Sequence, residues 1–443
     1  MRRTLEALIL PAMQQPTESA EQNIACIAAS RRAKSTPVHL SEPASMISAP
    51  ATPRATSRLR AADLRGLSRL GIDALVGVTD LVESMHHTIA SRAGIVGPGP
   101  AGRPSGVTGF VYRAVRGTMR VLGHGLDTVL ATMGLDTAAS TPEREAFVAA
   151  LNGVWGDHLA ATGNPLAIPM SLRMGGRPYE AALQAPTGRL LVLVHGLAMN
   201  DLQWTRRDHD HGQALARDLG FTPVYLHYNS GRHVSQNGRE FAALLDNLVA
   251  NWPMPVEELV IVGHSMGGLV ARSACQIGAG QPWMASLTKL VFLGTPHHGA
   301  SLERGGRLVD ALLGVSPYVA PFARLGKARS AGITDLRFGN LLDADWQHRD
   351  RHAQKHDDRV PTPLPAGVQS FLGAATTAEK ATGLRSAVVG DGLVPLASAL
   401  GEHRDPALAL KVPKSHRFVL TSANHWDLLS RTDVYAKLRA WLA

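Results

Sequence analysis

The chain has few cysteines and no long apolar run. Its 443 residues include two cysteines, Cys26 in a polar leader and Cys275 on a predicted helix, so we expect no disulfide to hold the fold together. No stretch approaches the roughly 18 consecutive apolar residues that a membrane-spanning helix needs. The N-terminal apolar stretch is interrupted by Glu6 and closed by Pro11, a poor secretory signal. These absences predict a cytoplasmic protein.

The composition excludes a disordered or fibrous chain. Hydrophobic residues make up 45% and charged residues 18%, which is ordinary for a globular protein. The formal net charge of +9 would suit nucleic acid or an anionic membrane surface as a partner. However, no basic run interleaved with aromatic residues and no nucleic-acid motif is present. We therefore expect no nucleic-acid partner and, at most, a modest bias towards an anionic membrane.

The first part of the chain divides into two regions. Residues 1–60 are rich in Ala, Ser, Thr, Pro and Arg without periodicity, which predicts a disordered leader. Residues 61–161 are predicted to be helical, because apolar residues recur at three- and four-residue spacing from Ile72 to Ile89 and again over 109–133. These two stretches predict a helical hairpin. It could pack on the catalytic domain, which we favour, or attach peripherally to the inner membrane.

A third helix is predicted to follow the hairpin. Thr141 suits the N-cap, Pro142 suits the first turn, and acidic residues follow at once. We expect this helix to reach about Ala161.

Residues 162–443 alternate between predicted strands and helices. Leu166 to Leu172 alternate as an edge strand would, whereas Leu190–Val194 is continuously apolar, as in a strand covered on both faces. Further strands are predicted over 224–226, 259–262, 290–293 and 368–372, with helices over 237–250 and 266–277. This order predicts an α/β fold with a doubly wound, mostly parallel sheet. Residues 300–365 break the alternation and are predicted to form a cap or lid.

The stretch Val260–Gly268 predicts a strand, a sharp turn and a helix. Its sequence is Val-Ile-Val-Gly-His-Ser-Met-Gly-Gly, with a serine at the centre of a Gly-x-Ser-x-Gly spacing. Larger side chains at Gly263 and Gly267 would clash at such an elbow. Ser265 is therefore the candidate nucleophile, and the backbone N–H of Met266 at the helix start is a candidate oxyanion donor.

Three further residues complete the catalytic hypothesis. Leu197 follows the first buried strand, where a loop beside the elbow supplies the second oxyanion donor. Asp391 lies in a glycine-flanked turn, and His425 follows the apolar stretch that ends at Leu420. The order Ser265, Asp391, His425 is the order of an α/β-hydrolase triad, with the histidine as base and the aspartate holding its tautomer.

These motifs resemble those of α/β-hydrolase lipases and esterases, particularly bacterial triacylglycerol lipases and GPI inositol-deacylase-like and lecithin–cholesterol-acyltransferase-like enzymes. The resemblance covers about 166–443. It implies an α/β-hydrolase fold with a lid, with Ser265, Asp391 and His425 as the triad and Leu197 and Met266 as oxyanion donors. The residues that carry it are His195-Gly196, Gly263 to Gly268, Gly294-Thr295-Pro296-His297-His298-Gly299, Gly390 to Pro395, and His425.

The leading functional hypothesis is a serine carboxylic-ester hydrolase that acts on a lipid-like acyl ester through an acyl-enzyme. An acyltransferase or thioesterase would use the same triad. A catalytically idle hydrolase-like scaffold that binds membrane or a partner is the alternative from another class. The Ala-, Arg- and Gly-rich composition suggests a bacterial source.

We expect no cofactor and no catalytic metal. The pair His297-His298 is interpreted as a loop that shapes the wall of the site, and His195 as a residue that orients its loop rather than a base. His348, His352 and His356 are spaced as one face of a helix, but interleaved basic residues favour a solvated segment over a metal site.

Overall fold

The computed structural model describes residues 62–73, 140–300, 330–347, 357–380 and 390–443. These residues all belong to one compact unit, Ser57–Ala443. The predicted leader and nearly all of the predicted helical hairpin fall outside them. A helix over 62–73 begins two residues after the predicted leader, ahead of Ile72, where the periodicity starts.

Eight strands form one sheet in the order β2-β1-β4-β3-β5-β6-β7-β8. From β4 to β8 neighbouring strands pair in parallel, while β1 pairs antiparallel with both β2 and β4. The predicted α/β-hydrolase sheet, doubly wound and mostly parallel, is confirmed. The strands are β1 (Ser171–Met174), β2 (Arg177–Pro178), β3 (Arg189–Val194), β4 (Thr222–His227), β5 (Glu258–His264), β6 (Leu287–Leu293), β7 (Gln369–Ala375) and β8 (Arg417–Leu420).

Helices cover both faces of this sheet. Alternate residues of β3 show why its sequence is continuously apolar: Leu190 and Val192 pack in one buried cluster, and Leu191 and Leu193 pack in the other. The helices among the described residues are α1 (62–73), α2 (Pro142–Ala161), α3 (Tyr179–Ala182), α4 (His211–Leu219), α5 (Val234–Ala250), α6 (Met266–Ile277), α7 (Ala331–Phe338), α8 (Leu396–Ala399) and α9 (Thr432–Leu442).

The predicted edge strand, β1, is shorter than its alternation suggested, and it is not the edge of the sheet because β2 pairs with its outer side. Only Ser171–Met174 pairs in the sheet, so the prediction was wrong over 166–170. The buried Asn152 side chain explains this: its Nδ2 donates to the carbonyl of Leu166 at 2.7 Å, and its Oδ1 accepts from the backbone N–H of Ile168 at 3.0 Å. Backbone groups satisfied by a side chain in this way do not join a ladder.

Helix α2 begins and ends where the sequence predicts. Thr141 is its N-cap, and the Thr141 hydroxyl accepts from the backbone N–H of Arg144 at 3.3 Å. The helix packs closely on loops of the catalytic domain because it presents glycines there. A Cβ on Gly153 would lie 2.6 Å from the Cβ of Ala198. The carbonyl of Gly156 accepts from Asn229 Nδ2 at 2.8 Å.

Within the described ranges, none of the helices is long and apolar enough to cross a bilayer.

We predict that Asn152→Ala lowers the free energy of unfolding by about 2–4 kcal/mol, because it strips hydrogen bonds from two buried backbone groups. Urea denaturation measures this. Asn251→Ala is the matched control, since the exposed Asn251 amide bonds only within its own helical turn, to Asn247. Equal effects of the two substitutions would contradict the role assigned to Asn152.

Candidate active site

Strand β5 ends at His264 and helix α6 begins at Met266, so Ser265 alone makes the turn between them. Its backbone has φ 54° and ψ −125°, a strained conformation for a residue with a side chain. A backbone hydrogen bond from the Ser265 N–H to the carbonyl of Leu293, at 2.8 Å, ties the strained residue to β6. The serine side chain is thereby placed at the tip of the elbow.

The glycines on either side of Ser265 are required by close backbone contacts. A Cβ on Gly263 would lie 2.6 Å from the backbone of Gly268, and one on Gly267 would lie 2.1 Å from the carbonyl oxygen of Val194. The start of α6 therefore presses against the end of β3. This contact brings the elbow next to the loop that follows β3.

Asp391 and His425 form a buried pair. His425 Nδ1 lies 2.6 Å from Asp391 Oδ2, and both residues are 2% exposed. The backbone N–H of His425 also donates to the carbonyl of Asp391 at 3.2 Å. With Nδ1–H donated to the carboxylate, the other ring nitrogen is free to accept a proton.

The turn that carries Asp391 is built to hold its carboxylate. Asp391 Oδ1 accepts from the backbone N–H groups of Leu393 and Val394, at 3.0 and 2.8 Å. Gly390 has a positive φ of 55°, and a Cβ there would lie 1.9 Å from the carbonyl oxygen of Val394. One oxygen of Asp391 is therefore fixed by the backbone while the other faces His425.

Ser265 and His425 line one cavity, with about 360 Å³ of empty space. Among the described residues no hydrogen bond joins the serine hydroxyl to the imidazole; such contacts often tighten only when substrate binds. Most of the other lining side chains are apolar. They are Leu197, Met199, Ala300, Leu336, Leu393, Val394 and Trp426, together with Gly196 and His264.

Two backbone N–H groups beside Ser265 have no acceptor among the described residues, those of Leu197 and Met266. The loop of Leu197 lies close to the nucleophile, since a Cβ on Gly196 would be 3.0 Å from the Ser265 Cβ. Ala198 has a positive φ of 59°, and its N–H donates to the hydroxyl of Ser230 at 2.9 Å. Ser230 thus holds the strained loop, a role that the sequence pattern gave no means to detect.

His195 lies at the start of this loop and supports it. The ring stacks on Tyr228 with centroids 4.3 Å apart, and the Tyr228 hydroxyl donates to the His195 carbonyl. His195 Nδ1 donates to the carbonyl of Gly196 at 2.9 Å. Burial lowers the pKa of His195 to about 3, so the imidazole is neutral. These contacts match the role of loop orientation that we predicted.

His264, which the sequence analysis did not single out, packs directly behind the candidate base. Its ring centroid is 4.6 Å from that of His425, and its Nε2 lies 3.3 Å from the His425 carbonyl. Burial, followed by the nearby His425 charge, lowers the pKa of His264 well below its ordinary value. His264 therefore supports the His425 loop as a neutral ring.

Two other buried aspartates are engaged elsewhere. Asp427 accepts from the backbone N–H of Asn424 and pairs with Arg207. Asp335 accepts from His233 Nδ1 and from the N–H at the start of α5. Asp391 is the aspartate that meets His425.

His297 and His298, in the segment 294–299 that we expected to shape the wall of the site, do not line this cavity. Both residues line a second cavity, beside Arg272 and Arg359. The start of the same segment does reach the site: a Cβ on Gly294 would lie 3.0 Å from His425 Cε1. The three histidines at 348, 352 and 356 lie outside the described residues.

Comparison with known proteins gives one family match. Residues 185–360 match the family model of the PGAP1-like alpha/beta domain. No curated protein matches the chain.

Solved structures that align with the chain include three hydrolases. The mature lipase BlEst2 of Bacillus licheniformis is 18% identical with a TM-score of 0.39, covering 62% of this chain and 98% of that one. The phospholipase PlaB of Legionella pneumophila is 17% identical with a TM-score of 0.32, covering 48% and 45%. The esterase Pf2001 of Pyrococcus furiosus is 12% identical with a TM-score of 0.33, covering 58% and 79%.

The parallel sheet and the strained serine elbow agree with the family match, which spans β3 to β6 and part of the following insert. Residues 185–360 are thus similar to the PGAP1-like alpha/beta domain, and the described residues have an α/β-hydrolase fold.

Proposed function

We propose that the chain is a serine carboxylic-ester hydrolase with Ser265, His425 and Asp391 as its catalytic triad. The observation that carries the proposal is the buried Asp391–His425 pair, 2.6 Å apart, in the wall of the cavity that also contains Ser265. A bent elbow alone would not need a base oriented by a carboxylate in the same cavity. That combination supports a working nucleophile rather than an idle scaffold.

In the proposed reaction, His425 takes the proton of the Ser265 hydroxyl as the serine oxygen attacks the ester carbonyl. As negative charge develops on the carbonyl oxygen, this oxygen accepts hydrogen bonds from the N–H groups of Leu197 and Met266. The protonated His425, stabilised by Asp391, then gives its proton to the leaving alcohol, and the acyl-enzyme forms. Water activated by His425 releases the acid and restores the serine.

The lining of the cavity supports an apolar acyl group as the substrate part that binds here. The side chains of Leu197, Met199, Leu336, Leu393 and Val394 surround the nucleophile. Burial of each methylene of an acyl chain contributes about 0.8 kcal/mol, so selectivity should rise with chain length until the cavity is filled. A panel of p-nitrophenyl esters of increasing chain length measures this directly.

We predict that Ser265→Ala abolishes labelling by a fluorophosphonate probe and lowers ester hydrolysis at least about 10³-fold, because the nucleophile is lost with little change in volume. Far-UV circular dichroism checks that the fold is kept. Ser286→Ala is the control. The Ser286 hydroxyl donates to the carbonyl of Val256, and the residue does not line the cavity of Ser265. Near-normal turnover of Ser265→Ala would relocate the nucleophile.

We predict that Asp391→Asn lowers kcat by about 10²–10⁴-fold, because an amide neither holds the imidazole tautomer nor stabilises its charged form. Asp427→Asn, on the His425 loop itself, is the matched control and should keep most activity. Steady-state kinetics on a short ester distinguishes the two. If Asp427→Asn were the more damaging change, the triad acid would have to be reassigned.

We predict that Ser230→Ala lowers kcat by about 10-fold or more with little change in KM, because it frees the loop that aims the Leu197 N–H at the oxyanion. The split between kcat and KM is the informative readout, since loss of folded enzyme would only reduce the active fraction. Titrating active sites with the fluorophosphonate probe corrects for that fraction. An unchanged kcat per active site would show that Ser230 does not position the loop.

A further inference from the structure

A second cavity, with about 240 Å³ of empty space, lies where α6, the segment after β6 and the insert meet. None of the residues that line it lines the catalytic cavity. Several of its polar side chains are buried. They are Arg272, His297, Asp345, Arg359 and Thr362, and His298 beside them is half-buried.

Arg272 is a buried cation with an unfinished set of contacts. The side chain is on α6 and the residue is 5% exposed. Its Nη1 donates to His297 Nδ1 at 3.3 Å and its Nη2 to the carbonyl of Thr362 at 2.5 Å. Among the described residues its Nε has no hydrogen-bond partner. Burial, and then the charge of Arg359, lower the pKa of Arg272 to about 9, but the group stays charged at neutral pH.

The carboxylates nearby are engaged with other groups. Asp357 pairs with Arg359, at 2.7 Å. The two oxygens of Asp345 accept from the backbone N–H groups of Leu341, Leu342 and Val360, and Asp345 forms no ion pair with Arg272. The guanidinium of Arg272 therefore has neutral acceptors in contact and no anion.

His297 contributes a second donor without an acceptor. Because its Nδ1 accepts from Arg272, the neutral ring carries its proton on Nε2. This Nε2 is buried, and the part of the chain that the structure describes offers it no hydrogen-bond partner. Burial, followed by the charge of Arg272, holds the pKa of His297 well below its ordinary value. His298 is not a third such donor, because its ring forms a hydrogen bond with the backbone of Gly401.

We propose that this cavity binds a small inorganic anion, such as chloride or phosphate, that accepts hydrogen bonds from Arg272 Nε and His297 Nε2. An unpaired buried charge is costly, and an anion would both neutralise the guanidinium and satisfy two orphan N–H groups. The cavity is small, with room for about one ion of roughly the size of a water molecule, which suits chloride better than phosphate. The bound ion would link α6, which carries the nucleophile elbow at its other end, to the insert at Thr362.

Thermal unfolding of the full chain tests the proposal. The protein is first placed in sodium gluconate. Sodium chloride or sodium phosphate then replaces the gluconate stepwise at constant ionic strength. We expect a saturable rise in the midpoint of at least about 2 °C with the ion that binds. The rise should be absent in Arg272→Met and kept in Arg217→Met, a control at an arginine on the surface. Comparing the two salts distinguishes a halide from a tetrahedral ion.

Crystals of the unsubstituted protein soaked in bromide give a second readout that does not depend on the folding of a variant. An anomalous peak within hydrogen-bond distance of Arg272 Nε and His297 Nε2 is the expected result. An ordered water there instead, or a midpoint that climbs equally in Arg272→Met, would overturn the proposal. A bromide peak without a saturable shift would also overturn it, since the ion would then bind only at crystal concentration.

Discussion

The candidate active-site cavity depends on one backbone contact, between the start of α6 and the end of β3. With no side chain at Gly267, the helix can approach the carbonyl of Val194 closely. This approach sets the N–H of Met266 and the loop of Leu197 on the same side of Ser265. A Cβ at Gly267 would push the helix and the loop apart, and the two proposed oxyanion donors would no longer share a target.

The strain at this elbow is offset by interactions spread over a wide area. Ser265 and Ala198 both adopt positive φ values, and each is held by a hydrogen bond to a neighbouring element, through Leu293 and Ser230 respectively. Strained backbone persists only where its surroundings over-determine it. Helix α2 adds to these surroundings, since Gly153 lies against Ala198 and Asn229 bonds to the helix at Gly156. The helix that precedes the sheet in the chain therefore supports the loop that carries the proposed oxyanion donor Leu197.

Neutral buried histidines are a second theme of the molecule. His195, His264 and His297 are fully buried, and burial lowers the pKa of each. Each acts on its surroundings as a neutral hydrogen-bonding ring. His195 orders the loop of Leu197 and His264 packs against the loop of His425, whereas His297 contacts the cation Arg272 in a separate cavity. Histidine content alone thus says little about which ring is the base.

The sequence by itself determined the elements that local rules control. The continuous apolar run of β3, the Thr141 cap of α2 and the glycine spacing around Ser265 depend on neighbouring residues, so their pattern is visible in the chain. The order of Ser265, Asp391 and His425 was also visible in the sequence. The structure then brought the second and third together across 34 positions, at 2.6 Å.

Tertiary structure alone decided the rest, because it depends on contacts between distant segments. The Asn152 side chain hydrogen-bonds to the backbone groups of Leu166 and Ile168, so they do not join β1, although the alternation of this stretch favoured strand pairing. The Ser230 hydroxyl accepts a hydrogen bond from Ala198, which is 32 positions away in the chain. His297 contacts Arg272 and does not line the cavity of Ser265. No periodicity or motif predicts such contacts, because each depends on how the helices and loops pack on the sheet.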